Sequence, residues 1–165
     1  AVAHCTLSNL KLASGVCRVP ELLAAGVTVA LGTDGCASSN DLDLFFAMRT
    51  AALLAKGTRR DASVLPARQV LRMTTIDAAR ALGIDATCGS IEVGKRADLV
   101  MLDPQSPSLT PSYDPISTVV YAASRADVLN VWTGGNQAVE ERACRTVDVP
   151  ATLAAMRNLQ TVIRG

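Results

Sequence analysis

The feature that most constrains this chain is the run Val27 to Leu31, "VTVAL", set between Gly26 and Gly32 and followed at once by "TDGCASSNDLD". A short apolar and β-branched run bounded by glycines suits a parallel strand buried on both faces, because such a strand needs no polar alternation. That strand runs straight into Asp34, a carboxylate placed where buried backbone gives way to loop. In α/β proteins this position faces a site rather than bulk solvent, and it often holds a metal ligand or a base. The structural alternative is an Asx turn.

The flanking sequence fits an α/β unit. Ala1 to Ala3 reads as an apolar strand leading into a polar loop, "HCTLSNLKLASG". Pro20 opens a short helix, "PELLAAG", that Gly26 closes. Asn40 or Asp41 is placed to cap a helix whose Leu42, Phe45, Phe46 and Leu53 recur at helical spacing until Lys56 and Gly57. A further helix opens at Pro66. Thr74 with Asp77 three residues on predicts a capping box for "TTIDAARALG", with Gly83 as its stop. Strand, helix, strand, helix, helix over residues 1–87 is the rhythm of a parallel sheet.

From about Cys88 the rhythm changes to short strands punctuated by Gly, Pro and Asp. "GSIEVGKRADLVMLD" predicts a hairpin-like unit, with Ile91 and Val93 alternating, a turn at Gly94 and Lys95, and a strand over Leu99 to Leu102. Residues 104–115 read as a proline-punctuated loop, and 128–141 as a second hairpin turning at 134–136. A second region over 88–149 is expected, followed by an amphipathic helix in 150–165.

Charge and cysteine content narrow the function classes. Sixteen basic and fifteen acidic residues leave a net charge of +1, spread without blocks, so no footprint for nucleic acid or an anionic membrane is visible. No apolar run approaches the roughly 18 residues of a membrane span. A small molecule or another protein is the expected partner. Cys5, Cys17, Cys36, Cys88 and Cys144 are odd in number and lack a C-x-x-C pair, which argues against a disulfide framework or a structural zinc site. Reduced thiols in a cytoplasmic protein are the expectation. Cys36 is expected to be a packed thiol, Lys95 and Arg96 a solvated turn, and Trp132 a core or interface residue. The opening "AVAHCTLSNL" reads as if cut from the middle of something longer.

Taken in order, "HCTLSNLKLASG", "PELLAAGVTVALGTDGCASSNDLDLF", "TIDAARALG" and "GSIEVGKRADLVMLD" closely resemble the carboxyl-terminal part of the amidohydrolase superfamily. Within it the chain is most similar to the 5-methylthioadenosine/S-adenosylhomocysteine deaminases and the triazine-type chlorohydrolases. The resemblance implies an α/β fold: the last strands and helices of a metal-dependent TIM (β/α)8 barrel, with part of the small β-sandwich domain beside it. It also implies a role for Asp34, which matches the family's aspartate at the end of the eighth barrel strand. That residue is a ligand or close neighbour of the catalytic divalent metal, zinc by expectation, and helps take a proton from the attacking water. The chemistry is consistent, since such a metal lowers the pKa of water and a neighbouring carboxylate accepts its proton and returns it to a leaving amine.

By the same resemblance His4, the single histidine, lies near the active site without being a usual ligand. It is a substrate-facing or supporting candidate, and the alternative is a histidine hydrogen-bonded within its loop. Ser38 lies where relatives contact the heterocycle, with an ST turn as the alternative. Of Ser8, Asn9 and Lys11, two are expected to shape their loop through local bonds to the backbone. The family's H-x-H pair, two further histidines and a proton-shuttling glutamate would lie upstream of Ala1. Hydrolytic deamination of an adenosine-like nucleoside or other heterocyclic amine is therefore expected of a longer parent. The 165 residues alone are expected to be inactive, and to pair as a homo-oligomer or with the missing barrel half. A chlorohydrolase, a guanine- or cytosine-type deaminase and a non-catalytic folding or interaction module are the alternatives.

Overall fold

The computed structural model describes residues 1–164 and divides the chain into two compact units. The first comprises residues 1–95 and 104–127; the second comprises 96–103 and the chain from Val128 onward. The boundaries thus differ from the 1–87, 88–149 and 150–165 division read from the sequence. The reason is a helix in 104–127 that returns to the first core.

In the first unit β1 (Val2–His4) and β2 (Val29–Leu31) pair in parallel, with Val2 opposite Val29 and His4 opposite Leu31. All three residues of β2 are buried, as its unbroken apolar run requires. Between the strands lie α1 (Thr6–Lys11) and α2 (Val19–Ala24), the latter with Pro20 in its first turn. The sequence predicted a loop where α1 forms. Ser, Thr and Asn disfavour helix by bonding nearby backbone, but here the hydroxyls of Thr6 and Ser8 are buried and engaged by other side chains, so that competition is removed.

After β2 come α3 (Cys36–Ser39) and α4 (Leu44–Arg59). The cap of α4 is Asp43, whose carboxylate accepts from the amides of Phe45 at 2.8 Å and Phe46 at 3.2 Å. The predicted caps are committed elsewhere: Asn40 takes a left-handed backbone and Asp41 pairs with Arg125 at 2.7 Å. The helix also runs past the predicted stop at Gly57, because Lys56 ties its end to the following turn through the carbonyls of Ala62 and Val64. Its buried face is Ala47, Met48, Ala51, Ala52 and Ala55, a helical spacing of small side chains that lets other elements approach closely.

Two shorter helices follow, α5 (Ala67–Thr74) and α6 (Ile76–Leu82), the second stopped by Gly83 at φ +71°. The predicted capping box between them is not formed. Thr74 ends α5 with its hydroxyl on the Leu71 carbonyl, and Asp77 is instead held by Arg72 at 2.8 Å and Arg80 at 2.9 Å. Gly89 sits against α6 at φ +91°, where an added Cβ would lie 2.6 Å from that of Ala79; only glycine fits. The helix α7 (Pro115–Tyr121), capped by Asp114, buries Val120 in a core with Val29, Leu31, Met48, Val70 and Met73. The following turn is fixed by Asp127, which is buried and accepts from the hydroxyls of Ser106, Ser108 and Ser124.

The second unit is a four-stranded antiparallel sheet in the order β3 (Leu99–Leu102), β4 (Val128–Thr133), β5 (Asn136–Glu140) and β6 (Ala143–Cys144). The hairpin of β4 and β5 turns at Gly134 and Gly135, both at positive φ, as a tight two-residue turn demands. The hairpin predicted over 89–103 is absent: Ile91 and Val93 are exposed and not in a strand, and β3 pairs with the distant β4. Gly89 and Gly94, both at positive φ, break the extended backbone, and Ser90, Glu92 and Lys95 bond one another across the turn. The side chain of Lys95 is only 13% exposed and so is not the solvated residue expected, whereas Arg96 is exposed. Trp132 is half-buried in β4. The helix α8 (Val149–Arg164) exposes Val149, Leu153, Met156 and Leu159. No helix among the described residues is long and apolar enough to cross a membrane.

Candidate functional site

The carboxyl ends of β1 and β2 are tied together, with the Gly32 amide donating to the His4 carbonyl at 3.1 Å. The two segments that leave this edge carry the predicted site residues. After β1 the chain enters α1 within two residues, which buries His4, Thr6 and Ser8. After β2, Asp34 takes a left-handed backbone at φ +61° and turns the chain into α3. Aspartate is among the few residues that tolerate this region without a large penalty.

Asp34 is exposed, and both of its oxygens are engaged. The buried Ser8 hydroxyl donates to Oδ2 at 2.7 Å and the Gly35 amide to Oδ1 at 2.8 Å. These donors, Ser8 foremost, then Ser38 and Gly35, hold the carboxyl below its usual range, so it is ionised at neutral pH. The contact with Gly35 is local but reaches only one residue on, short of the two-residue span of the Asx turn given as the alternative role. The bond from Ser8, 26 residues away, is not local.

Ser38 lies in α3 beside Asp34, and its hydroxyl also donates to the Gly35 carbonyl at 3.0 Å, an ST-type contact. His4 is buried, which depresses its pKa and keeps it neutral near pH 7. Its Nε2 lies 2.7 Å from the Thr6 hydroxyl, while its Nδ1 is buried with no hydrogen-bond partner. The structure therefore sets all three residues at one strand edge, with Ser38 against Asp34 and His4 bonded to Thr6. Cys36, expected to be packed, is exposed at the start of α3. An apolar cavity of about 330 Å³, lined by residues including Val2, Ala30, Leu31 and Leu82, lies along the strands, but none of the three lines it.

Among the described residues no cluster of three His, Cys, Asp or Glu side chains could hold a metal ion. Asp34 has the chemistry of one ligand: an exposed, ionised carboxylate whose oxygens keep further lone pairs. Sequence reasoning missed the part played by Ser8, for which the only signal was its place just after a strand.

A fold with a carboxylate at a parallel strand's end has a clear counterpart among known proteins. The sequence matches the amidohydrolase family over residues 1–138, and the chain belongs to that family. It is 50% identical over 147 residues to a 5-methylthioadenosine/S-adenosylhomocysteine deaminase of Moorella thermoacetica, covering 89% of this chain and 34% of that protein. A zinc-bound adenosine deaminase from Xanthomonas campestris superposes with a TM-score of 0.94 at 46% identity, over 98% of this chain and 37% of that one. An atrazine chlorohydrolase from Arthrobacter aurescens complexed with zinc superposes with a TM-score of 0.89 at 28% identity, over 96% and 35%. The chain thus spans about a third of the length of these relatives.

Proposed function

We propose that the chain is the carboxyl-terminal portion of a zinc-dependent (β/α)8-barrel hydrolase that deaminates adenosine-like nucleosides, with 5-methylthioadenosine and S-adenosylhomocysteine as leading substrates. The second unit is then part of the β-sandwich beside that barrel. The observation that carries the reading is Asp34: an ionised carboxylate, held by a buried hydroxyl, at the carboxyl end of a buried parallel strand. The identity of about half of the residues to a named deaminase supports the choice of substrate class.

In this reading Asp34 is a zinc ligand and the base of the hydrolysis. Bound zinc supplies Lewis acidity, which makes water a nucleophile near neutral pH. A carboxylate oxygen of Asp34 takes the water's proton and passes it to the departing amine, so that ammonia leaves as the neutral molecule. Asp34 suits the first half of this work because its donors keep it ionised before the reaction begins. His4 and Ser38 face the substrate. The partnerless, buried Nδ1 of His4 supports its part, and the hydroxyl of Ser38 beside Asp34 supports the other. The remaining ligands belong to the preceding part of the protein. Homo-oligomerisation and the cytoplasmic location expected from the unpaired cysteines belong to the same proposal.

The test is ammonia release by the full-length, zinc-loaded protein from 5-methylthioadenosine, S-adenosylhomocysteine, guanine and an aminotriazine, with chloride release from a chlorotriazine alongside. Release from the two nucleosides at the highest kcat/KM is the expected result. Chloride release or guanine turnover in its place would move the assignment to those relatives' reactions. A protein that binds no zinc and turns over none of these would be a folding or interaction module.

A further inference from the structure

The segment from Asp34 to Asn40 is bounded by two non-glycine residues in the left-handed region, Asp34 at φ +61° and Asn40 at φ +62°. Each is held by a side chain of the same short helix. Ser8 donates to Oδ2 of Asp34 at 2.7 Å, and Lys11 donates to Oδ1 of Asn40 and to the Ala37 carbonyl, the latter at 3.2 Å. Residues three apart lie on one helix face, so Ser8 and Lys11 form a two-point clamp. Left-handed backbone at such residues persists only where its surroundings support it.

We propose that Ser8 and Lys11 are positioning residues, which together fix the Asp34–Asn40 segment and so aim the Asp34 carboxylate and the Ser38 hydroxyl into the site. The inference rests on the reading of Asp34 as zinc ligand and base. Ser8 acts on one carboxylate oxygen directly: with Oδ2 engaged by Ser8 and Oδ1 by Gly35, the carboxylate plane cannot rotate freely about its bond to Cβ. Lys11 acts at the far end, where its ammonium bridges the last turn of α3 to α1. Each acts through another group, Ser8 through the Asp34 carboxylate and Lys11 through the end of α3. Partners of a metal ligand in this position typically change metal affinity or activity by about 10- to 100-fold when removed, because a ligand that wanders loses its preorganisation.

The test compares pairs in the full-length protein, one member keeping the donor and the other removing it: Ser8→Thr with Ser8→Val, and Lys11→Arg with Lys11→Met. Three quantities are read for each: zinc affinity by chelator competition, kcat and KM for the nucleoside, and amide hydrogen exchange over residues 35–40. Ser8→Val is expected to bind zinc at least about tenfold more weakly than Ser8→Thr and to lose kcat with KM nearly unchanged. Lys11→Met is expected to speed exchange at the Ser39 and Asn40 amides, which bond Gly35 and Cys36, with Lys11→Arg restoring protection. Because Thr and Val share their shape, a general loss of packing affects both alike, and Met keeps nearly the length of the lysine it replaces while Arg keeps its charge. Equal zinc affinity and kcat within the serine pair, or unchanged exchange in Lys11→Met, would overturn the clamp. A wild-type protein without zinc or turnover would instead defeat the underlying reading of Asp34, and the exchange result would still judge the lysine's part.

Discussion

Two segments leave the same edge of the same small sheet, and they are built in opposite ways. After β1 the chain turns inward: His4, Thr6 and Ser8 are buried, and His4 is kept neutral by its surroundings. After β2 it turns outward: Asp34 is exposed, ionised and set on a left-handed backbone. The bond from Ser8 to Asp34 joins them. The difference shows that a strand edge can take a fixed donor from one loop and a charged group from the next. The buried segment supplies one fixed donor, Ser8, and the exposed one presents a charged group that this donor steadies together with Gly35 and Ser38.

That contrast can be broken most directly at Asp34. Asp34→Asn in the full-length protein keeps shape and removes charge, and kcat/KM is expected to fall by at least about 10³-fold with folding preserved, as judged by circular dichroism. Little change would mean that the exposed segment carries a turn and nothing more. On the buried side, Thr6→Val strands Nε2 of His4 without its hydroxyl partner. Thermal or denaturant unfolding is expected to show a loss of about 1–3 kcal/mol, because the orphaned group keeps its desolvation cost.

A smaller effect sharpens the comparison through pH. The folded-state pKa of His4 lies below its ordinary 6.5, so the unfolded chain binds the proton more readily. The stability this provides is present above pH 6.5 and is lost as pH falls from there through the folded pKa. Unfolding midpoints of the wild-type protein should decline over that window, and His4→Gln, at the one histidine of these 165 residues, should diminish the step. The smallest change is expected from Ser38→Ala, where loss of one exposed hydroxyl should raise KM by about two- to fivefold, with kcat nearly constant. A fall in kcat alone would give Ser38 a part in steadying Asp34 instead.

Much of the architecture was legible as pattern. The buried run of β2, the Pro-first and Gly-last signs around α2, the Gly83 stop and the glycine turn between β4 and β5 each follow from local chemistry that three to six residues specify. Two of the failures share one cause. The caps at Asn40 or Asp41 and the hairpin over 89–103 are plausible locally, but distant partners claimed the groups: Arg125 took Asp41, Lys11 took Asn40, and β4 took β3. The capping box at Thr74 lost instead to nearer partners, Leu71 for the hydroxyl and Arg72 and Arg80 for Asp77.

The site divides along the same line. Sequence by itself determined that a carboxylate would stand where a buried strand ends, since an apolar run followed by glycine and aspartate leaves few other outcomes. Only the tertiary structure decided that the carboxylate would be gripped by a serine 26 residues earlier, whereas the bond between His4 and Thr6, two residues on, is the local alternative that the sequence left open. A hydrogen bond between side chains depends on where two elements come to rest in space, and that position is set by the packing of the whole core rather than by any stretch of sequence near either partner.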